Sequence, residues 1–324
     1  MLNLYPQQEA PRSSQDATGD SPVPKPVWWD LLDGTDEERA TVERSTGLQV
    51  PTKAQISEIE SSSRLYIEGD ALYLSAPVIS RGGAGAPTVS PIGLVLSPHY
   101  LVTVRFAALP SFETFAARFN APAVGVTTSA EVFVGLLEAI IDRLADVLEQ
   151  IGLQLDEISD MVFHSGEGRP GRADRALRET LRHVGRAGDH ISKLRDSLLA
   201  FDRMVPFVME NGEAWIPEKL QSRSRTLRRD IFSLKDYDEH LSNKVQFLLD
   251  ASLGLIGIEQ SDIFKILTVV SVVGIPPTLV AGIYGMNFKD MPELNWAWGY
   301  EYGWALIIIS AVIPLIWCRI RGWI

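Results

Sequence analysis

The sequence predicts an α/β domain followed by long α-helices, closing on two transmembrane helices per subunit. Three observations predict it. Short apolar runs alternate with turn residues up to about Phe119, helical periodicity runs with few breakers beyond Ser129, and two uncharged apolar runs lie beyond Asp262.

The elements follow in chain order. Residues 1–26 are rich in Pro, Ser, Gln and Asp and lack the basic start and apolar core of a signal peptide, which predicts a disordered cytosolic tail. Residues 27–128 read as the α/β domain. Arg64–Ile67, Ala71–Ile79, Ile92–Leu96 and Leu101–Phe106 have strand character, with Glu68-Gly69-Asp70 and Ser97-Pro98-His99 as turns. Thr35–Ser45, Thr52–Glu60 and Ser111–Phe119 read as helices, the first with Thr35 and Glu38 at capping-box spacing.

Residues 129–262 read as long cytosolic helices. Ala130–Phe163 carries Glu131, Glu138, Asp142, Asp146, Glu149, Asp156, Glu157 and Asp160 against Arg143 alone, with Glu167 just beyond. Arg172–Phe207 follows the breaker Gly168-Arg169-Pro170-Gly171 and is rich in arginine. Such faces are solvated outer surfaces of an antiparallel pair, or the acidic one concentrates cations near a membrane. Pro217 starts a third helix with no breaker before the prolines of the first apolar run. From Pro217 to Tyr284 it spans about 100 Å and enters the membrane directly, a rigid link suited to transmitting a signal to a gate.

Residues 263–286 are the first span. Its core, Ile266–Tyr284, holds no charge and as a helix covers about 28 Å, close to the hydrocarbon thickness of a bilayer. Residues 287–302 form an outer loop with Lys289, Asp290, Glu293 and Glu301. Residues 303–318 form the second span, and 319–324 a basic tail with Arg319 and Arg321. Tyr300, Tyr302, Trp304, Trp317 and Trp323 are interfacial anchors. Positive residues stay on the cytoplasmic side, which places both termini inside a plasma (inner) membrane and the loop outside.

Composition excludes several classes. With 41 acidic and 30 basic residues the net charge is −11, unsuited to binding nucleic acid and suited to a cationic partner. One cysteine, Cys318, permits neither an intrachain disulfide nor a thiolate cluster. His183 and His190 share a helix face but stand about 10 Å apart along it, too far to ligate one metal without help. No phosphate loop, nucleophile elbow or metal-ligand helix motif is present, so neither an enzyme nor a bound cofactor is expected.

The long helix carries a distinctive stripe. At alternating steps of three and four lie Asp250, Gly254, Gly257, Ser261, Phe264, Thr268, Ser271, Ile275, Thr278 and Gly282, mostly Gly, Ser or Thr. Small and hydroxylated residues on one face serve close helix packing or line an aqueous lumen. Pro276 and Pro277 deprive the carbonyls of Val272 and Val273 of their amide donors, which is tolerated at membrane depth only against protein or water. Two spans cannot enclose a channel alone, so a lumen requires several identical copies around an axis. The stripe is uncharged within the membrane. Neutral oxygens hold a hydrated divalent cation through its water shell and still release it, and Phe264 and Ile275 would form apolar rings that gate by dewetting.

At the outer end of this helix stand Tyr284-Gly285-Met286-Asn287, then Met291-Pro292-Glu293-Leu294, preceded by Pro276-Pro277-Thr278-Leu279-Val280-Ala281. With two C-terminal spans and a basic tail, these resemble the CorA family of magnesium and cobalt transporters over about residues 28–324. The resemblance implies a funnel-shaped homopentamer whose first span lines a pore for Mg2+, with Co2+ and Ni2+ as further cargo. Gly285, Met286 and Asn287 would form the outer mouth, Asn287 binding the hydrated ion and Glu293 lying in the outer loop. Thr278 and Gly282 match family pore positions. Leu267 and Ile275 match its apolar constriction, where methionine is commoner at the second position, and Ser261 stands where asparagine is frequent. The family is inhibited by cytosolic Mg2+ bound through acidic residues. Asp250 fits best as an axial acid, whereas Asp236, Asp238 and Glu239 read equally as solvated charges. Alternatives are a zinc-type transporter of the same superfamily, against which the intact Met286 argues, and a membrane-tethered metal sensor without flux.

Overall fold

Alternating β-branched and aromatic runs pair into one six-stranded sheet in the computed structural model, which describes residues 1–5, 26–58, 60–81, 87–119, 128–164, 172–287 and 291–323. Two units are distinguished, Met1–Leu248 and Leu249–Ile324.

In the first unit the strands are β1 (Leu2–Tyr5), β2 (Trp28–Leu32), β3 (Leu65–Glu68), β4 (Ala71–Arg81), β5 (Pro87–Leu96) and β6 (Leu101–Arg105), in sheet order β1-β2-β6-β5-β4-β3. Only β2 and β6 run parallel, with Asp30 opposite Thr103. The first five residues therefore depart from the expected disordered tail: Leu2 pairs with Leu31 and Tyr5 with Trp28. The rest of that tail, up to residue 25, lies outside the described residues.

Strand alternation divides the core. One face carries Trp29, Leu31, Tyr73, Val95, Val102 and Val104 against Val42 of helix α1 (Asp36–Thr46) and Ile56 of the short helix α2 (Lys53–Ile56). Thr35 and Glu38 form the expected capping box of α1. The helix expected over Thr52–Glu60 stops at Ile56, with Ser57 as its C-cap; a separate turn of helix, α3 (Ser61–Arg64), leads into β3. On the other face Trp28 stacks on Tyr5 at 4.4 Å and meets Phe112, Phe115 and Phe119 of α4 (Pro110–Phe119). Each such aromatic pair contributes about 1 kcal/mol beyond its burial.

Helices α5 (Ser129–His164), α6 (Arg172–Asn211) and α7 (Glu218–Tyr284) follow. Their buried seams repeat at three and four residues: Leu137, Ile141, Leu144, Leu148, Ile151 and Leu155 on α5, and Leu220, Ser224, Leu227, Ile231, Asp238, Leu241 and Leu248 on α7. α6 passes through Pro206 and ends four residues beyond the expected Phe207.

The second unit contains the last part of α7, a 3-10 turn Pro292–Asn295 and helix α8 (Gly299–Ile320). By length and composition α7 and α8 each hold a stretch able to cross a membrane. The first residue of α8 is glycine, and a Cβ there would stand 2.3 Å from Glu293 O.

Candidate functional site

The predicted stripe occupies one continuous side of α7. Gly254, Gly257, Ser261, Phe264, Thr268, Ile275, Thr278 and Gly282 are all exposed, and Ser271 is half-buried. Coverage within the chain falls on the opposite side, at Ser252, Ile256, Glu259, Val269, Val273, Pro276, Val280 and Tyr284. A Cβ added to Gly254, Gly257, Gly274 or Gly282 would meet nothing within 4 Å. These glycines therefore answer no packing need inside one chain. Their small size serves something outside it: a neighbouring copy, a lumen, or both.

The hydroxyls have a common geometry. Thr268 Oγ1 donates to Phe264 O at 2.7 Å, Ser271 Oγ to Leu267 O at 2.9 Å and Thr278 Oγ1 to Gly274 O at 2.9 Å. Each proton is held by the helix's own backbone, and the oxygen keeps its lone pairs as acceptors. Acceptors of this kind suit the outward-pointing protons of a hydrated cation. Gly274, Thr278 and Gly282 also floor a shallow groove walled by Ile275, Leu279, Ile283 and Met286. Pro276 and Pro277 lie inside the helix at this level and leave the carbonyls of Val272 and Val273 without their usual donors.

Large apolar side chains interrupt the stripe. Phe264 is 66% exposed, Leu267 60% and Ile275 64%, so none is anchored within its own chain. At the C-terminal end of α7 Gly285 N donates to Ala281 O at 3.0 Å and Met286 N to Ile283 O at 3.2 Å, closing the helix with a tight turn. Asn287 follows as an exposed residue outside the helix. Glu293 sits half-buried in the 3-10 turn, its carbonyl against Gly299.

Asp250 is exposed on α7 where the second unit begins. Asp238 is not the solvated charge that sequence allowed. It fills a seam position of α7, 1% exposed; Arg195 Nε of α6 donates to its Oδ2 at 2.8 Å, and its Oδ1 is buried without a partner. Desolvation pushes its pKa above the ordinary carboxylate value, outweighing the guanidinium that lowers it. Asp236 and Glu239 remain exposed.

Part of the acidic face of α5 is committed to ion pairs. Glu138 accepts from Arg223 Nε at 3.0 Å, and Asp156 pairs with Lys244. Asp142 holds its proton more tightly than usual, first through desolvation and then through Glu138, Asp146 and Asp230. Asp146, Glu149, Glu157 and Asp160 face outward, while Glu167 lies outside the described residues. His183 is exposed and His190 half-buried. Among the described residues no group of three or more His, Cys, Asp or Glu is placed to hold a metal ion.

Sequence reasoning missed the pair at the centre of the sheet. Asp30 and Arg105 are both buried; Arg105 Nη2 donates to Asp30 Oδ2 at 2.8 Å, Thr103 Oγ1 to Asp30 Oδ1 at 2.7 Å, and Trp28 Nε1 to Thr103 Oγ1 at 3.0 Å. A strand carrying Asp amid Trp-Trp-Leu-Leu gave no clean alternation to read.

The comparisons with known proteins agree with this layout. The family model described as CorA-like Mg2+ transporter protein matches residues 25–319. The chain is 33% identical over 298 residues to the magnesium transport protein CorA of Haemophilus influenzae, covering 92% of each. It is 32% identical over 303 residues to that of Escherichia coli K12, covering 94% of this chain and 93% of the relative. The fold is similar to the complete structure of the CorA magnesium transporter from Methanocaldococcus jannaschii, with a TM-score of 0.76 at 21% identity over 92% of this chain and 91% of that one. A sheet domain, long helices, two apolar C-terminal helices and the Gly285-Met286-Asn287 turn thus coincide with a match over nearly the whole sequence, and the chain belongs to the CorA family.

Proposed function

We propose that this chain is one subunit of a homopentameric channel carrying hydrated Mg2+ into the cell across the plasma (inner) membrane, with both termini cytoplasmic. Relatives named as magnesium transport proteins support the cargo. The observation that carries the mechanism is the largely exposed stripe of α7 ending at Gly285-Met286-Asn287, in which the Thr268, Ser271 and Thr278 hydroxyls donate to the backbone and offer their lone pairs outward.

Copies arranged around an axis present this stripe to one another across water. Mg2+ gives up its shell reluctantly, so a pathway that strips it faces a steep barrier. The Asn287 side-chain oxygens accept hydrogen bonds from the ion's own waters at the outer mouth, with Gly285 and Met286 shaping the ring. Below it Gly282, Thr278, Ser271, Thr268 and Ser261 offer neutral oxygens or open space. Ile275, Leu267 and Phe264 narrow the path, and an apolar ring too tight for a water column closes it without a moving plug. Co2+ and Ni2+, which keep similar hexahydrate shells, are further cargo. Internal Mg2+ acts as regulator through carboxylates of the cytosolic part, with Asp250 as an axial acid.

The test is Mg2+ uptake into vesicles holding the purified protein, wild type beside Asn287→Ala. Wild type accumulates Mg2+. The variant inserts and assembles normally yet falls at least about tenfold, the loss expected for hydrogen bonds made to a charged group's shell. Equal rates would remove Asn287 from selectivity, and no uptake by wild type would leave a membrane-bound sensor instead.

A further inference from the structure

The end of α8 folds into a small structure that ion conduction does not use. Gly322 takes φ +70°, a left-handed conformation suited to glycine, and terminates the helix. Its N–H donates to Arg319 O at 3.1 Å, and Trp323 N donates to Cys318 O at 3.0 Å. This reversal brings the Trp323 ring edge-on to Trp317, centroids 5.8 Å apart. The Arg321 guanidinium lies over the Trp317 ring at 5.6 Å. Gly303–Ile324 contains no Asp or Glu to neutralise Arg319 or Arg321.

We propose that Trp317, Arg321 and Trp323 form a binding site for the phosphate headgroup of an anionic phospholipid in the leaflet on the C-terminal side, with Arg319 adding positive charge at the same level of the helix end. The inference rests on the membrane reading of α8 and not on ion flux. Three physical features favour a lipid phosphate. Indole rings prefer the boundary between hydrocarbon and headgroups, where an apolar body and a polar edge are both accommodated. A cation–π contact keeps the Arg321 guanidinium over Trp317, and its N–H groups stay available for the oxygens of a phosphate. Ile320, 80% exposed between the two arginines, offers an apolar surface to an acyl chain. The helix C-terminus opposes an anion with about half a negative charge, which two arginines outweigh.

The experiment uses the full chain reconstituted in vesicles of phosphatidylcholine containing phosphatidylglycerol, followed by mild extraction and mass-spectrometric counting of retained lipids. Wild type retains phosphatidylglycerol in excess of its share of the bilayer. Arg319→Gln and Arg321→Gln each reduce that preference about fivefold, the effect of one basic residue near an anionic surface. Gly322→Ala keeps both charges but strains the turn that seats Trp323, and gives a smaller loss. Three outcomes overturn the proposal: an unchanged preference in the double glutamine variant, a loss no greater than that of a distant Arg228→Gln control, or displacement of the lipid by millimolar inorganic phosphate, which would mark a soluble anion as the ligand. A chain that fails to insert at all overturns both this site and the membrane reading. Insertion without Mg2+ uptake overturns the channel alone.

Discussion

A buried charge in this protein is stabilising or costly according to how fully its hydrogen bonds are met. Asp30 has every oxygen engaged, by Arg105 and Thr103, at the centre of the sheet. Arg105→Ala leaves that carboxylate stranded and should lower the unfolding free energy by about 3–5 kcal/mol, read from denaturant unfolding of the full chain. Asp238 is the opposite case, with Oδ1 unpartnered and Arg195 half in solvent. Its folded-state pKa is raised, so the native protein binds this proton more readily than the unfolded chain does, and ionisation at neutral pH costs stability. Asp238→Asn should therefore be at least as stable as wild type at pH 7, its advantage shrinking as pH falls toward the ordinary aspartate value of 3.8. A variant less stable at neutral pH would show that Arg195 contributes more than burial costs. Neither aspartate was legible in the sequence as a core residue. Asp30 interrupts an apolar strand, and Asp238 announces itself only when the seam Leu220, Ser224, Leu227, Ile231, Asp238 and Leu241 is followed through it.

Among elements, the long helices were readable because apolar residues recur at three and four over many turns, a pattern that few local irregularities disguise. α7 starts one residue beyond Pro217, and Pro206 inside α6 does not break it. Short elements were less readable. β1 is only four residues long and pairs with β2 alone, and β2 is covered on both faces and so lacks the alternation of a half-exposed strand. The stripe on α7 was legible for the same reason as the helix itself; what sequence could not tell is that its glycines touch nothing within the chain. This bears on the apolar positions between them. Ile275 projects from an exposed surface with no partner in its own chain, so a polar replacement should leave the helix intact and act only on whatever Ile275 faces. Ile275→Ser is expected to raise closed-state Mg2+ leak into vesicles while leaving helix content by circular dichroism unchanged. Unaltered leak would place the constriction elsewhere, at Leu267 or Phe264.

At the scale of the whole molecule, one chain leaves an apolar helix pair exposed that water would not tolerate, and the two remedies are lipid and other copies. They predict different chemistry on the two sides of α7. With Cys318→Ser as background, cysteines at Thr268 and Thr278 should react with a water-soluble thiol reagent in assembled protein, and cysteines at Val269 and Val280 should not. Equal protection at all four positions would turn the stripe toward protein or lipid and leave no aqueous route. The direction of the hydroxyl protons carries one more consequence. Because Thr268, Ser271 and Thr278 each donate inward to the backbone, in the proposed lumen they would present a wall of lone pairs rather than protons at these three levels. Chloride, which needs donors, would find no foothold along it. Discrimination by sign of charge would then arise from the way a helix satisfies its own side chains, before any acidic ring is invoked.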